Sequence, residues 1–250
     1  MIRPTPRRGA FTLAELLVVV SILALLLAIL VPALNRARAV AEGVTCLSNL
    51  RQQSTAMHHY IAKQRGCFPD HRGEGFGGGS RSDGYDSYWA TTLLDYGATV
   101  ELYKCAALKG PRTDFGLEWE WAFNQHKIGY GYNGWFLGLR LYPDGQFATG
   151  GIASTGNLKL SQVQNPSGVM KIADSSPIPI GGGIWSQSIF WPFAGQAGPS
   201  YEGVKERHLQ GSSIVFVDGH AEFKWAADVN PPFNGSTVNL NWWDPLQREP

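Results

Sequence analysis

Glu15 stands close to the start of an apolar run that extends from about Leu13 to Leu34 and is otherwise broken only by Ser21 and Pro32. An ionised carboxylate in such a run costs roughly 2.5–3.5 kcal/mol on insertion scales unless a positive group meets it. A plain membrane anchor has no reason to keep it, so a paired charge is the chemistry to look for. His208, with Asp218 and Asp174, is a second candidate group. A triad needs an activated nucleophile and a zinc site needs three or four convergent ligands; the chain has no G-x-S-x-G, H-E-x-x-H or C-x-x-C pattern. We therefore expect no catalytic residue and no metal, with His208 hydrogen-bonding across a hairpin or to a loop carboxylate. The acids Asp70, Glu74, Asp83 and Asp86 flank Gly77-Gly78-Gly79-Ser80. Their spacing is not an EF-hand, and the glycines lack the Lys-Ser/Thr of a phosphate loop. Solvated loop charges are the expectation, calcium the lesser alternative, and no cofactor is expected.

The elements that must hold these residues are few. From Pro32 to about Gln64 the only glycine is Gly43, and Val40, Val44, Leu47, Leu50, Ser54, Met57 and Ile61 recur at three and four residues. One helix of some fifty residues is expected, with an apolar first half and an amphipathic second half, closed by Gly66 and followed by Pro69 as a stop. Beyond it the chain turns to Gly, Asn and aromatics, with one short helical candidate from Tyr88 to Tyr96. Asp218-Gly219 joins Ile214–Val217 to Ala221–Trp225 and predicts a type I′ hairpin. Alternation then puts Ala221, Phe223 and Trp225 toward the core and His220, Glu222 and Lys224 outward. Trp119, Trp121, Phe123, Trp135, Trp185, Trp191, Trp242 and Trp243 are read as core or subunit contacts before a glycan-stacking platform.

Hydrophobic residues make up 44% of the chain, charged residues 16%, and the net charge is +1. This allows one globular domain with an N-terminal appendage and gives no long-range field for nucleic acid or an acidic partner. Of the three cysteines, Cys67 and Cys105 can close a loop of about forty residues worth roughly 3–4 kcal/mol in an oxidising compartment. Pairing of Cys105 with Cys46, or three reduced thiols, stay open.

Arg3, Arg7 and Arg8 precede the apolar run. About 22 helical residues cover about 33 Å, near the hydrocarbon thickness of a bilayer. The basic flank places the N-terminus in the cytoplasm and exports the chain beyond the run, despite Arg36 and Arg38 on the far side. A secretory signal peptide cut at Ala37-Arg38-Ala39 is disfavoured: the run is too long, and arginines crowd the cut.

The stretch Arg8-Gly9-Ala10-Phe11-Thr12-Leu13-Ala14-Glu15-Leu16-Leu17 resembles the class III signal of type IV pilins and type II secretion pseudopilins. The resemblance implies a leader (1–10) removed by a prepilin peptidase after Ala10, an N-methylated Phe11, and Glu15 as fifth mature residue. The usual residue before the cut is Gly, so Ala10 is a departure; a cut after Gly9 would make Glu15 sixth. It further implies that the Phe11 α-amine of one subunit neutralises Glu15 of its neighbour during assembly, and that Pro32 is the mid-helix proline. Cys46-Leu47-Ser48-Asn49-Leu50-Arg51-Gln52 resembles the stalk helix of large pilin-like proteins. The nine residues between His208 and Asp218-Gly219 resemble the H-X9-DG signature of a class of prepilin-type proteins, as do Tyr130-Gly131-Tyr132-Asn133 and Ile172-Ala173-Asp174-Ser175.

The expected fold is α+β: a polymerisation helix (11–34), an amphipathic stalk helix (35–65) and an exported antiparallel β-rich head (66–250). The expected role is a non-enzymatic pilin or pseudopilin whose partners are prepilin peptidase, other subunits and the inner membrane, and whose final place is a filament. A tethered exported carbohydrate-binding or hydrolytic domain is the alternative.

Overall fold

The computed structural model describes residues 12–70, 88–114, 117–134, 137–138, 158–175, 178–180, 183–185, 207–208, 211–225 and 228. Helix α1 (Leu13–Lys63) is the long helix the periodicity calls for, with Pro32 inside it. Proline has no N–H to give the carbonyl four residues back, so Ala28 loses its partner within the helix. The helix stops where Gly66 N–H bonds to Ile61 O at 2.9 Å, with Arg65 (φ 54°) and Gly66 (φ 85°) both left-handed. This six-to-one bond satisfies a terminal carbonyl, and Gly66 enters its conformation without Cβ strain.

The chain divides into two compact units after Ala41. In the first, the apolar side chains from Leu13 to Leu34 are exposed, as bilayer- or subunit-facing residues must be. In the second, α1 buries Gly43, Cys46, Leu50, Gln53, Ser54, Ala56, Met57 and Ile61. The seam therefore differs from the expected one: Val40 and Val44 are exposed, and Gly43 and Cys46 take their place. A Cβ on Gly43 would stand 3.7 Å from His208 Cβ, so small residues here let the helix approach the head closely. Each fully buried large side chain, such as Leu50 or Met57, contributes roughly 1.5–3 kcal/mol.

After α1 comes α2 (Trp89–Leu94), within the span expected for a short helix. A small hairpin pairs β1 (Arg112–Asp114) with β2 (Leu117–Trp119). The main sheet has four antiparallel strands in the order β3-β4-β7-β8: β3 (Tyr130–Tyr132), β4 (Met170–Asp174), β7 (Gly211–Phe216) and β8 (Ala221–Trp225). Strands β5 (Ile178–Ile180) and β6 (Gly183–Trp185) form a separate pair. The fold is thus α+β, a long helix with an antiparallel sheet. Strands β4 and β7 are buried along their whole length. Between them the register slips from Met170↔Phe216 to Ile172↔Val215, a bulge at Lys171.

Two expectations about the β7–β8 hairpin are corrected. Only Gly219 (φ 99°) has positive φ in its turn, whereas type I′ needs two such residues. Gly219 N–H bonds to Phe216 O (3.0 Å) and Phe216 N–H to His220 O (2.9 Å), leaving a three-residue loop, Val217-Asp218-Gly219, with glycine at the left-handed position. Ala221 pairs with Val215 and packs against the core as expected, but the strand beyond it is less covered. Phe223 and Trp225, expected inside, are 37% and 53% exposed. Phe223 lies across Gly211, where a Cβ would come within 2.3 Å of its ring. The core is instead filled by aromatics: Trp89 packs on Tyr103 and on Tyr132 (both 5.5 Å between centroids), and Tyr103 on Phe123 (5.2 Å). Trp119 and Phe123 are buried as read. Trp121 is half-buried with its Nε1–H on Tyr103 O (3.3 Å). Trp135, Trp191, Trp242 and Trp243 lie outside the described residues, as do Glu74, Asp83 and Asp86; Asp70 is exposed.

Candidate functional site

At the N-terminal end, Thr12 precedes the first helical residue and Glu15 is the third. Glu15 Oε2 accepts hydrogen bonds from Thr12 N–H (2.9 Å) and Thr12 Oγ1 (2.8 Å), while Glu15 N–H donates to Thr12 Oγ1 (3.2 Å). This is a reciprocal capping box that satisfies two otherwise orphan donors. The T-x-x-E pattern of Thr12-Leu13-Ala14-Glu15 announces it, a signal that reading Glu15 only as a charge overlooks. The acid thus has a local duty besides any intermolecular one. Gly9, Ala10 and Phe11 lie outside the described residues.

In the head the structure gathers residues that lie far apart in the chain. Cys46 comes from α1, Cys105 from the loop after the 3-10 turn Val100–Tyr103, Asp174 from the end of β4, and His208 from the segment entering β7. All four are buried, and one ligating atom from each lies within 4.8 Å of the others. Cys46 Sγ and Cys105 Sγ are 3.1 Å apart, Cys105 Sγ is 3.5 Å from His208 Nε2, and His208 Nε2 is 3.7 Å from Asp174 Oδ2. The zinc patterns are absent from the sequence, yet the fold brings four potential ligands together. Cysteine pairing is corrected as well: Cys105 faces Cys46, while Cys67 pairs through its backbone with Lys159. All three cysteines are free thiols in this structure.

The surroundings fix the geometry. Asp174 Oδ2 accepts the Ser213 N–H at 2.7 Å, and Oδ1 stands 3.6 Å from Arg207 Nη1 without accepting a hydrogen bond. Arg207 is itself held by the carbonyls of Gly129 and Ser175. Burial pushes the Asp174 carboxyl above its ordinary range, against the pull of Arg207 and His208. Burial also pushes the Cys105 thiol up. The Cys46 thiol is drawn down, first by its hydrogen bond with Cys105 and also by the Tyr130 hydroxyl and the Ala106 N–H.

His208 and Asp218 do not meet in one site. Strand β7 runs between them, which accounts for the spacing of nine: His208 enters the strand at the buried cluster and Asp218-Gly219 leaves it at the turn. Asp218 Oδ1 accepts from His220 N–H (3.1 Å) and lies 2.7 Å from His220 Nδ1, a turn-stabilising role. The helix grips that turn through His58 Nε2, 3.0 Å from Val217 O. A further buried charge among the described residues is Lys171, on the β4 bulge, whose Nζ donates to Ser54 Oγ of α1 at 2.6 Å. Nothing in the spacing of Lys171 marks it as a core residue.

Among the described residues one helix, α1, is long and apolar enough to cross a membrane. Residues 5–31 match the family model described as the prokaryotic N-terminal methylation motif. That match supports a type IV pilin-like protein. The matched stretch contains Phe11 and Glu15 and stops before Pro32, well short of His208, Asp218 and Gly219. No curated protein and no solved structure matches the chain. With the apolar helix, the motif is consistent with membrane anchoring.

Proposed function

We propose that the chain is a structural subunit of a type IV pilus-like filament or type II secretion pseudopilus. In this reading a prepilin peptidase cuts after Ala10, Phe11 is N-methylated, and the new α-amine pairs with Glu15 of a neighbouring subunit as the apolar helices bundle. The observation that carries it is the methylation motif over residues 5–31, a stretch in which Glu15 is the fifth residue counted from Phe11 and the lone acid of an apolar run. Each charge is costly alone in that setting and cheaper when paired, so pairing favours assembly. The head then supplies lateral and outer contacts, and no enzymatic step is assigned to it.

The test must separate the charge of Glu15 from its capping bonds. Glu15→Gln keeps an acceptor at the third helical position, which a capping box accepts, and removes only the charge. Mass spectrometry of the mature wild-type N-terminus should find N-methylated Phe11. Glu15→Gln should be cut normally yet lose most of its incorporation into sheared filaments. An intact Met1, or filament yield unchanged in Glu15→Gln, refutes the reading.

A further inference from the structure

We propose that Cys46, Cys105, His208 and Asp174 form a structural zinc site that staples the exported half of α1 to the head. This goes beyond the pilin-like reading and does not depend on processing of the N-terminus.

The donor set is two thiols, one imidazole and one carboxylate, all of them zinc ligands, converging from four separate segments. Metal–ligand bonds of about 2.0–2.3 Å in a tetrahedron imply edges of roughly 3.3–3.8 Å between ligand atoms. The observed S···N and N···O separations are 3.5 and 3.7 Å, and the sulfurs, at 3.1 Å, must part by about 0.7 Å to admit the cation. Four protein ligands in a buried position describe a closed site, the structural rather than the catalytic type.

Charge and second contacts agree. With both thiols deprotonated and their protons released to solvent, zinc, two thiolates and Asp174 sum to a single negative charge. Arg207, seated between the Gly129 and Ser175 carbonyls and 3.6 Å from Asp174 Oδ1, balances it. Of the two Asp174 oxygens it is Oδ2 that faces His208 Nε2, while Oδ1 lies toward Arg207 without a hydrogen bond. The Ser213 N–H orients that same Oδ2 at 2.7 Å, the outer support that metal-binding carboxylates need, and a carboxylate oxygen has a further lone pair for the cation. A disulfide between Cys46 and Cys105 is the competing chemistry. It would explain the neighbouring sulfurs but not why a histidine Nε2 and a carboxylate point at the same spot.

The experiment uses the full-length chain in detergent, purified under reducing conditions and exchanged against zinc-free buffer. Elemental analysis should return one zinc per chain, retained against a weak chelator. Cobalt(II) replacement should give thiolate-to-metal charge-transfer absorption and tetrahedral visible bands. Cys46→Ser and His208→Ala should each lose the stoichiometric zinc, His208→Cys should restore it, and Cys67→Ser should leave it unchanged. Absence of zinc and of cobalt–thiolate absorption in the folded wild-type chain overturns the proposal whatever the variants do. So does peptide mapping without reductant that finds a Cys46–Cys105 disulfide in protein taken from its exported location.

Discussion

Replacing Lys171 by methionine should stabilise the protein near neutral pH and flatten its stability profile above it. Lys171 is fully buried, and burial lowers its pKa from the ordinary 10.5 to about 7, with Asp218 pulling weakly the other way. That displacement means holding its proton costs roughly 5 kcal/mol more in the native state than in the unfolded chain. The sign comes from proton counting. Between about pH 7 and pH 10 the unfolded chain keeps the proton and the native state does not, so stability rises with pH by up to about 1.4 kcal/mol per unit and is lost as pH falls toward 7. Methionine matches the length of the stem and carries no charge. It leaves Ser54 Oγ without the 2.6 Å bond from Nζ, a loss of about 1–3 kcal/mol. The net expectation is a gain of roughly 2–4 kcal/mol at pH 7, shrinking to a net loss near pH 10. Urea unfolding of the full-length chain in detergent, followed by tryptophan fluorescence across that range, measures both; subtracting the wild-type curve removes the background of other titrating groups. His58 provides an internal check. Its imidazole is held below the ordinary range by burial and by the Lys171 charge, so its pKa should climb in the variant. A Lys171→Met protein with the wild-type pH slope, or one destabilised at pH 7, would refute the argument that this lysine is a desolvated charge.

Two glycines offer further tests. A Cβ at Gly129 would stand 2.7 Å from Cys105 N and 2.9 Å from Cys105 Cβ, neither of which can swing away, so Gly129→Ala should cost roughly 1–3 kcal/mol in urea unfolding and raise the reactivity of Cys105 toward alkylating reagents. Gly219 (φ 99°) closes the β7–β8 loop; Gly219→Ala should cost about 1–2 kcal/mol, with Gly219→Asn costing less, and equal losses for the two would exclude backbone strain as the cause.

The helix and the location of the hairpin were legible because both are local. Leu13–Lys63 is announced by periodicity and a late glycine, and the β7–β8 turn by Asp218-Gly219. What failed depended on one residue or on tertiary distance. A turn of three residues instead of two sets the register of β8, and at this edge strand only Ala221 of the expected inward face packs on the core, leaving Phe223 and Trp225 exposed. The preferred Cys67–Cys105 pairing rested on the export logic of cysteines, yet the fold seats Cys105 beside α1, where Cys46 waits. The four-residue cluster has no short spacing to betray it, since its members come from positions 46, 105, 174 and 208. Lys171 was invisible for a different reason: only a bulge in β4 turns it toward the helix.

The cluster also accounts for the composition of α1 past Ala41. A helix meant only to shed water would carry leucines along its seam, as Leu50, Met57 and Ile61 do further on. At Gly43 and Cys46 the seam is small instead, and against it rests the His208 ring. A bulky side chain at position 43 would hold the helix off the sheet and separate Cys46 from Cys105 and His208. Small residues at this end therefore trade apolar burial for close approach, and polar atoms on Cys46, His208 and Asp174 fill the space gained. That exchange is stabilising only if those atoms are bonded to something, because buried polar groups left without partners cost more than the methylenes they replace. The same helix thus meets two requirements in sequence. Up to Leu34 its surface is almost wholly apolar and exposed, and from Glu42 a seam of small and polar residues followed by Leu50, Met57 and Ile61 packs on the head.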